Sequence, residues 1–349
     1  MSSTLSDPLL AAAFWTGFGA LIVTLLLAGE IVNLRMALRR RQRRERNTLA
    51  KWRPILNAAV IGEIPDALPR LRRGERMVFL KFWVHLHQSL RGSASAALNE
   101  VAFRLECDVL ARDLLRGRRR AARLLAILAL GYLRDRKAWD ALQQQAASAD
   151  STASLQALWA LVQIDRKAAA ATMMPSFIER GDWALSQVVN ILQEAREDCA
   201  EVLERIIPEL SDDRLPRALQ LAEALRADLP PAMQASLLKH EEIPVLAAAL
   251  RIVSSPAVAD EVRAHAAHAD WRVRVQAAKA LGRIGGREDV ATLTQLLNDS
   301  EWWVRYRAAQ ALAELPFLGR AGLERMRDEA ADRYAADMLT QVMAEKEMA

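Results

Sequence analysis

The stretch DWRVRVQAAKALGRI at 270–284 recurs 31 residues later as EWWVRYRAAQALAEL at 301–315. Trp271 aligns with Trp302, Arg274 with Arg305, and Ala280-Leu281 with Ala311-Leu312. Apolar positions within each copy follow the i, i+3, i+4, i+7 spacing of one helix face. In the first copy that face is Val273, Ala277, Ala280, Leu281 and Ile284; in the second it is Val304, Ala308, Ala311, Leu312 and Leu315. Small alanines let neighbouring helices approach while Leu and Ile fill the seam. A helix repeated at a fixed interval cannot bury its apolar face alone, so successive units must stack.

The interval extends beyond these two copies. Leu250 and Leu219 stand 31 and 62 residues before Leu281. A gap of 27 then breaks the phase, after which Leu192, Leu161 and Leu130 resume the 31-residue spacing. Shorter helical stretches, such as 137–147 and 289–298, alternate with the marked helices, and Gly285-Gly286 and Asp299-Ser300 punctuate them. Pro208, Pro216, Pro230 and Pro231 cluster around the phase break. Aromatic residues are only 5% of a chain that is 52% apolar, and no segment sustains period-2 alternation, so strands are not expected. The predicted fold class is all-α: a single N-terminal transmembrane helix followed by a solenoid of about seven or more helical repeats.

The anchor is read from residues 9–28, LLAAAFWTGFGALIVTLLLA, twenty positions without a charge. At about 1.5 Å per residue they span roughly the 30 Å hydrocarbon core of a bilayer. Asp7 suits the helix cap and Pro8 its first turn. A cleaved signal peptide needs basic residues before the apolar run and a small-residue cleavage site after it. Here the leader MSSTLSDP has no Lys or Arg, and EIVNLRMALRRRQRRER follows. Residues 35–53 hold nine Lys or Arg against one acid, a local +8; the total is +5, so the remainder sums to −3. The positive-inside bias then predicts a bacterial inner-membrane protein with its N-terminus outside and its solenoid in the cytoplasm. Arg35, Arg39, Arg40, Arg41, Arg43, Arg44 and Arg46 are expected to lie against the bilayer and its anionic head groups. Because the basic charge is local, no nucleic-acid partner is expected.

VRVQAAKALGRIG and VRYRAAQALAEL, each preceded by an acidic turn, resemble the second helix of HEAT repeats of the short bacterial kind. The resemblance is strong over 270–315, fair over 119–165 and only periodic between them. It implies that Arg274 and Arg305 pair with acidic turn residues, with Asp270, Asp299 or Glu301 as partners, rather than with phosphate. The expected organisation is a short extracytoplasmic leader (1–8), the membrane helix (9–34) and a basic juxtamembrane helix (35–53). An irregular helical segment (54–118, with breaks near Pro65, Gly74 and Gly92) then leads into two HEAT-like runs (119–207 and 208–318) and a C-terminal helical cap (319–349).

HEAT solenoids present their second helices on the concave side, which implies a protein-binding stripe there. The 31-residue spacing assigns to it Gln156, Trp159, Gln163, Gln187, Asn190, Arg214, Arg217, Gln276, Lys279, Arg283, Arg307 and Gln310. Glu194 and Glu314 belong to the same positions, as do the apolar breaks Leu125, Leu128, Tyr132, Leu221, Val245, Ala248 and Ile252. Such a mixed surface suits a protein partner, with Trp159 as an aromatic anchor. Of Trp302 and Trp303, one is expected to pack between repeats and the other to face solvent.

No Gly-rich phosphate loop, HExxH, GxSxG or nucleophile–base arrangement occurs. His85 and His87 point about 200° apart on a helix, and His265 and His268, spaced i, i+3, lack a supporting carboxylate or Cys pattern. Cys107 and Cys199 read as buried thiols of a reducing compartment. No cofactor, metal, catalytic residue or small-molecule substrate is expected. The alternative enzymes within the resemblance, a HEAT-like DNA glycosylase or a pigment lyase, lack a uniformly basic face and a distinctive site respectively. The reading is a scaffold or adaptor that holds a protein at the membrane, within an envelope machine for exopolysaccharide or glycan assembly, or else a regulator that recruits a soluble signalling protein.

Overall fold

A computed structural model describes residues 8–90 and 93–348. The expected cap Asp7, the leader before it and the break at Gly92 lie outside these residues. All regular structure among the described residues is helical. The chain divides into two compact units, Met1–Asp135 and Arg136–Ala349.

Unit 1 begins with α1 (Pro8–Val60), 53 residues of continuous helix. Its described side chains from Phe14 to Leu38 are exposed, including Trp15, Leu26 and Leu27. By length and composition this helix is able to cross a membrane, and none of its apolar window is buried. Its far end behaves differently. Thr48, Trp52, Leu56 and Ala59 are buried and form the core of the unit, so packing starts six residues before the boundary expected at 54. Against them lie α2 (Arg76–Ser89) and α3 (Ser93–Arg104). The Trp52 and Phe79 rings meet edge to face at 4.8 Å, and Trp83 donates to the Leu98 carbonyl at 2.9 Å. The last two helices, α4 (Cys107–Leu115) and α5 (Arg120–Leu133), pack on each other, and α5 also packs on α2. Leu130, a marker of the 31-residue period, is therefore built into unit 1. Arg112 binds Asp108 at 2.9 Å and also Asp135, which closes this unit.

Unit 2 is a stack of helix pairs. They are α6 (Trp139–Ala146) with α7 (Ser151–Ile164), α8 (Arg166–Glu179) with α9 (Leu185–Leu192), and α10 (Arg196–Ile206) with α11 (Leu215–Leu225). The stack continues with α12 (Pro231–Leu237) and α13 (Ile243–Ile252), then α14 (Ala259–Ala264) and α15 (Trp271–Ile284). The final pairs are α16 (Asp289–Leu296) with α17 (Trp302–Glu314), and α18 (Gly319–Glu329) with α19 (Arg333–Met348). Second helices pack in sequence, α7 on α9 and onward through α11, α13, α15 and α17 to α19. Leu161, Leu192, Leu219, Leu250, Leu281 and Leu312 all lie on them and all are buried. The phase break has a local cause. At Leu192 α9 ends, and a 3₁₀ turn, Gln193–Ala195, runs directly into α10 without a loop. Acidic turn residues cap the helices: Asp150, Asp165 and Asp270 accept from Ala153, Ala168 and Arg272 backbone N–H groups.

Candidate partner-binding surface

Two of the predicted cations hold the repeats together. Arg217 donates to the carbonyls of Phe177 and Trp183 at 3.0 and 3.1 Å, and its guanidinium lies over the Phe177 ring. Arg283 donates to the carbonyls of Leu250 and Arg251 at 2.8 and 3.1 Å, satisfying the exposed end of α13. A helix C-terminus has unpaired carbonyls and partial negative charge, and a guanidinium answers both. These two side chains are struts between successive pairs, which corrects their expected role as free contacts for a partner. Arg274 is bound in the manner expected, to Asp299 at 2.7 and 2.8 Å and to the carbonyls of His268 and Ala269. Burial, the largest influence, would raise the Asp299 carboxyl, but the hydrogen bonds from Arg274 and the Glu301 N–H together with the Arg274 charge outweigh it and hold the group below its ordinary range. Arg305 donates to the carbonyls of its own turn, Asp299 and Ser300.

The remaining stripe is divided. Leu221, Val245, Ala248 and Ile252 are buried, so α11 and α13 present no polar face at those positions. On the N-terminal side of that gap, Gln187 and Asn190 are exposed, Gln163 donates to Glu194 at 2.9 Å, and Gln156 and Trp159 are half-buried. Trp159 is already engaged within the fold. Arg214 forms a surface pair with Glu179 at 3.0 Å. On the C-terminal side, Gln276, Lys279, Arg307 and Gln310 share successive turns of α15 and α17 and are all half-buried. Arg307 donates to Gln310, Gln310 donates to the Tyr306 hydroxyl at 2.8 Å, and Tyr306 donates to Glu345 at 2.9 Å. Burial, followed by Arg307 and Arg283, lowers the Lys279 pKa; Arg251 acts in the same direction, and Glu223 opposes them. Arg251 already binds Glu223 at 2.8 Å. The field around Lys279 is therefore positive.

The predicted stripe leaves out a group of exposed aromatic residues on second helices of unit 2. Among the described residues, the exposed large apolar side chains of unit 2 are Trp271 (38%), Trp302 (39%), Trp303 (50%) and Tyr334 (62%). All four occupy the first turn of a second helix, in three successive pairs. Trp302 stacks on Tyr306 at 5.1 Å and meets Trp303 edge to face at 4.7 Å. Neither Trp302 nor Trp303 is sandwiched between repeats, which corrects the expectation for one of them. Val273 and Val304 of the same first turns are buried in the seam, so the exposed rings occupy the other side of each helix start. Arg305 lies over the Tyr334 ring at 5.4 Å and links α17 to α19. The available signal was positional, since each Trp-bearing start directly follows an acidic turn.

His265 and His268 are both engaged within the fold. His265 donates through Nε2 to the Leu238 carbonyl at 2.7 Å, and His268 Nδ1 accepts from the Asp270 N–H at 3.0 Å. No group of three or more His, Cys, Asp or Glu among the described residues is placed to hold a metal. On α1, Arg35, Arg39, Arg40, Arg43, Arg44 and Arg46 are exposed; the Arg41 side chain lies outside the described set.

A family model described as HEAT repeats matches residues 230–313, from α12 to the end of α17. No curated protein is similar to the chain. Among solved structures, a crystal structure of an engineered protein from the Northeast Structural Genomics Consortium is 16% identical. The match covers 84% of this chain and 83% of that one, with a TM-score of 0.34. Similarity at that level carries no argument beyond the one the helices make themselves. The matched segment contains Trp271, Trp302, Trp303, Lys279 and Arg307, whereas Tyr334 lies beyond it.

Proposed function

We propose that the chain is a membrane-anchored scaffold whose HEAT repeats bind a protein partner along the rim formed by Trp271, Trp302, Trp303 and Tyr334. The exposure of these side chains on consecutive repeats carries the reading. Exposed indole and phenol rings are unfavourable in water, and at interfaces they supply most of the binding energy when a partner covers them. Lys279 and Arg307 beside the rim favour a partner segment that bears carboxylates. HEAT repeats serve widely as protein-interaction surfaces, and a non-catalytic role agrees with this arrangement. The long apolar part of α1 is the anchor, with the basic residues after it on the cytoplasmic side and unit 2 in the cytoplasm. An envelope-assembly machine and a recruited signalling protein both meet these requirements, and the identity of the partner separates them.

A photo-crosslinking residue placed at position 303 of the full chain in native membranes tests the proposal. The same residue at Gln295, exposed on α16, is the control. A discrete adduct from 303, absent from 295 and lost when Lys279 and Arg307 become Glu, is the expected outcome. Equal labelling from both positions, or none from either, would exclude this rim as the binding surface.

A further inference from the structure

A second basic feature lies in unit 1. A cleft of about 470 Å³ opens where α1 passes the start of α2. Arg40 and Arg44, one helical turn apart on α1, line one side; Lys81 of α2 lines the other, with Met77 and Val78 forming an apolar wall. Among the described residues none of the three cations has an ion-pair or hydrogen-bond partner for its charged group. Glu45, the one acid on the lining, is itself engaged. The walls are joined rigidly beneath the cleft, by the Lys51–Glu75 pair at 3.1 Å and the Trp52–Phe79 ring contact. Three exposed cations from two elements line one cleft without partners, an arrangement that a charged face of a single helix does not give.

We propose that this cleft binds a phosphate group. Two guanidinium groups and an ammonium match the several acceptor oxygens and the charge of a phosphomonoester. The apolar wall suits a phosphate that carries a hydrocarbon body. Arg40 follows Leu38, the last large exposed apolar side chain of α1, by two residues, about 3 Å along the axis. If α1 is the anchor, the cleft lies close to the head groups, where basic pockets hold lipid phosphates. The choice of a lipid as the source of the phosphate rests on the anchor proposed above; the site itself does not.

The experiment uses the full chain in two arms. In the first, binding of phosphatidic acid is measured in phosphatidylcholine nanodiscs, with phosphatidylserine as the charged comparison. In the second, inorganic phosphate is titrated onto detergent-solubilised protein, which requires no bilayer. Lys81→Gln and the double variant Arg40→Gln/Arg44→Gln should each weaken binding by about tenfold, equivalent to about 1.4 kcal/mol. Arg39→Gln/Arg43→Gln removes the same charge from α1 outside the cleft and should change affinity by less than about twofold, as expected for exposed charges. Binding of phosphatidic acid that millimolar phosphate does not displace identifies a lipid; phosphate binding with the same variant pattern identifies a soluble phosphate compound. Equal loss in the control double variant with no effect of Lys81→Gln would reduce the site to diffuse attraction and overturn the proposal. So would the absence of binding in both arms. Alkaline extraction of membranes tests the anchor separately.

Discussion

At the scale of single residues, Gly282 sets how closely two repeats approach. A Cβ at this position would lie 2.8 Å from Ala311 Cα and 2.9 Å from Ala311 Cβ, too close for contact with the backbone of α17. One period later the same position is Ala313, also buried, so alanine suits the helix and is excluded only by the neighbour. Gly282→Ala gains about 1 kcal/mol of helix propensity. Forcing α15 and α17 apart costs about 1–3 kcal/mol, and repacking extends to Glu314, whose Oε2 would lie 3.0 Å away. The expected net effect is a loss of up to about 2 kcal/mol, read as a lower urea midpoint with an unchanged slope. The two cysteines show the converse, residues whose environment silences them. Burial pushes the Cys107 and Cys199 thiols up to about 12, so neither is placed to act as a nucleophile in the native fold.

At the scale of elements, α2 carries an acid-sensitive contact. His85 and His87 fall on different faces, and only His87 is buried. Its ring meets Trp83 edge to face at 4.3 Å and stacks on Tyr132 at 4.8 Å, joining α2 to α5. Burial lowers its pKa from 6.5 to about 4. A histidine depressed in the fold keeps unit 1 stable above its unfolded pKa, and that stability is lost as pH falls from 6.5 toward 4. The loss attributable to His87 reaches about 2 kcal/mol at pH 5. His87→Phe keeps an aromatic ring in the stack and removes the titration. Urea unfolding of the full chain in detergent at pH 7 and pH 5 should therefore show a smaller drop for His87→Phe than for the wild type. Equal drops would place the acid sensitivity elsewhere. Asp299 and the other paired carboxylates titrate alike in both proteins and cancel.

At the scale of the whole molecule, the pair architecture of unit 2 was legible because its cause is periodic. The markers from Leu161 to Leu312 are buried on successive second helices, and Arg274 with Asp299 could be read from the turn that precedes each copy. Interactions that depend on a particular neighbour were not legible. Arg217 and Arg283 find carbonyl ends of preceding helices, which spacing does not reveal, and the exposure of Trp302 and Trp303 depends on which side of the helix start the neighbouring pair covers. Leu130 kept the period yet belongs to α5, packed on α2 and α4 of the other unit. The most consequential difference concerns where unit 1 starts. A boundary at 54 would cut α1 between its charged stretch and its core, removing Thr48 and Trp52, both buried. Loss of a buried Trp alone costs about 3–5 kcal/mol, a large fraction of the stability of a small domain. A chain starting at residue 46 should retain the Trp52–Phe79 contact and unfold cooperatively, whereas one starting at 54 should lose protection in α2 and α3 with α15 and α17 unaffected. Hydrogen exchange resolved by peptide measures this directly. Equal protection of α2 in both chains would mean that the last turns of α1 are dispensable and that the anchor is joined to unit 1 by less than its core.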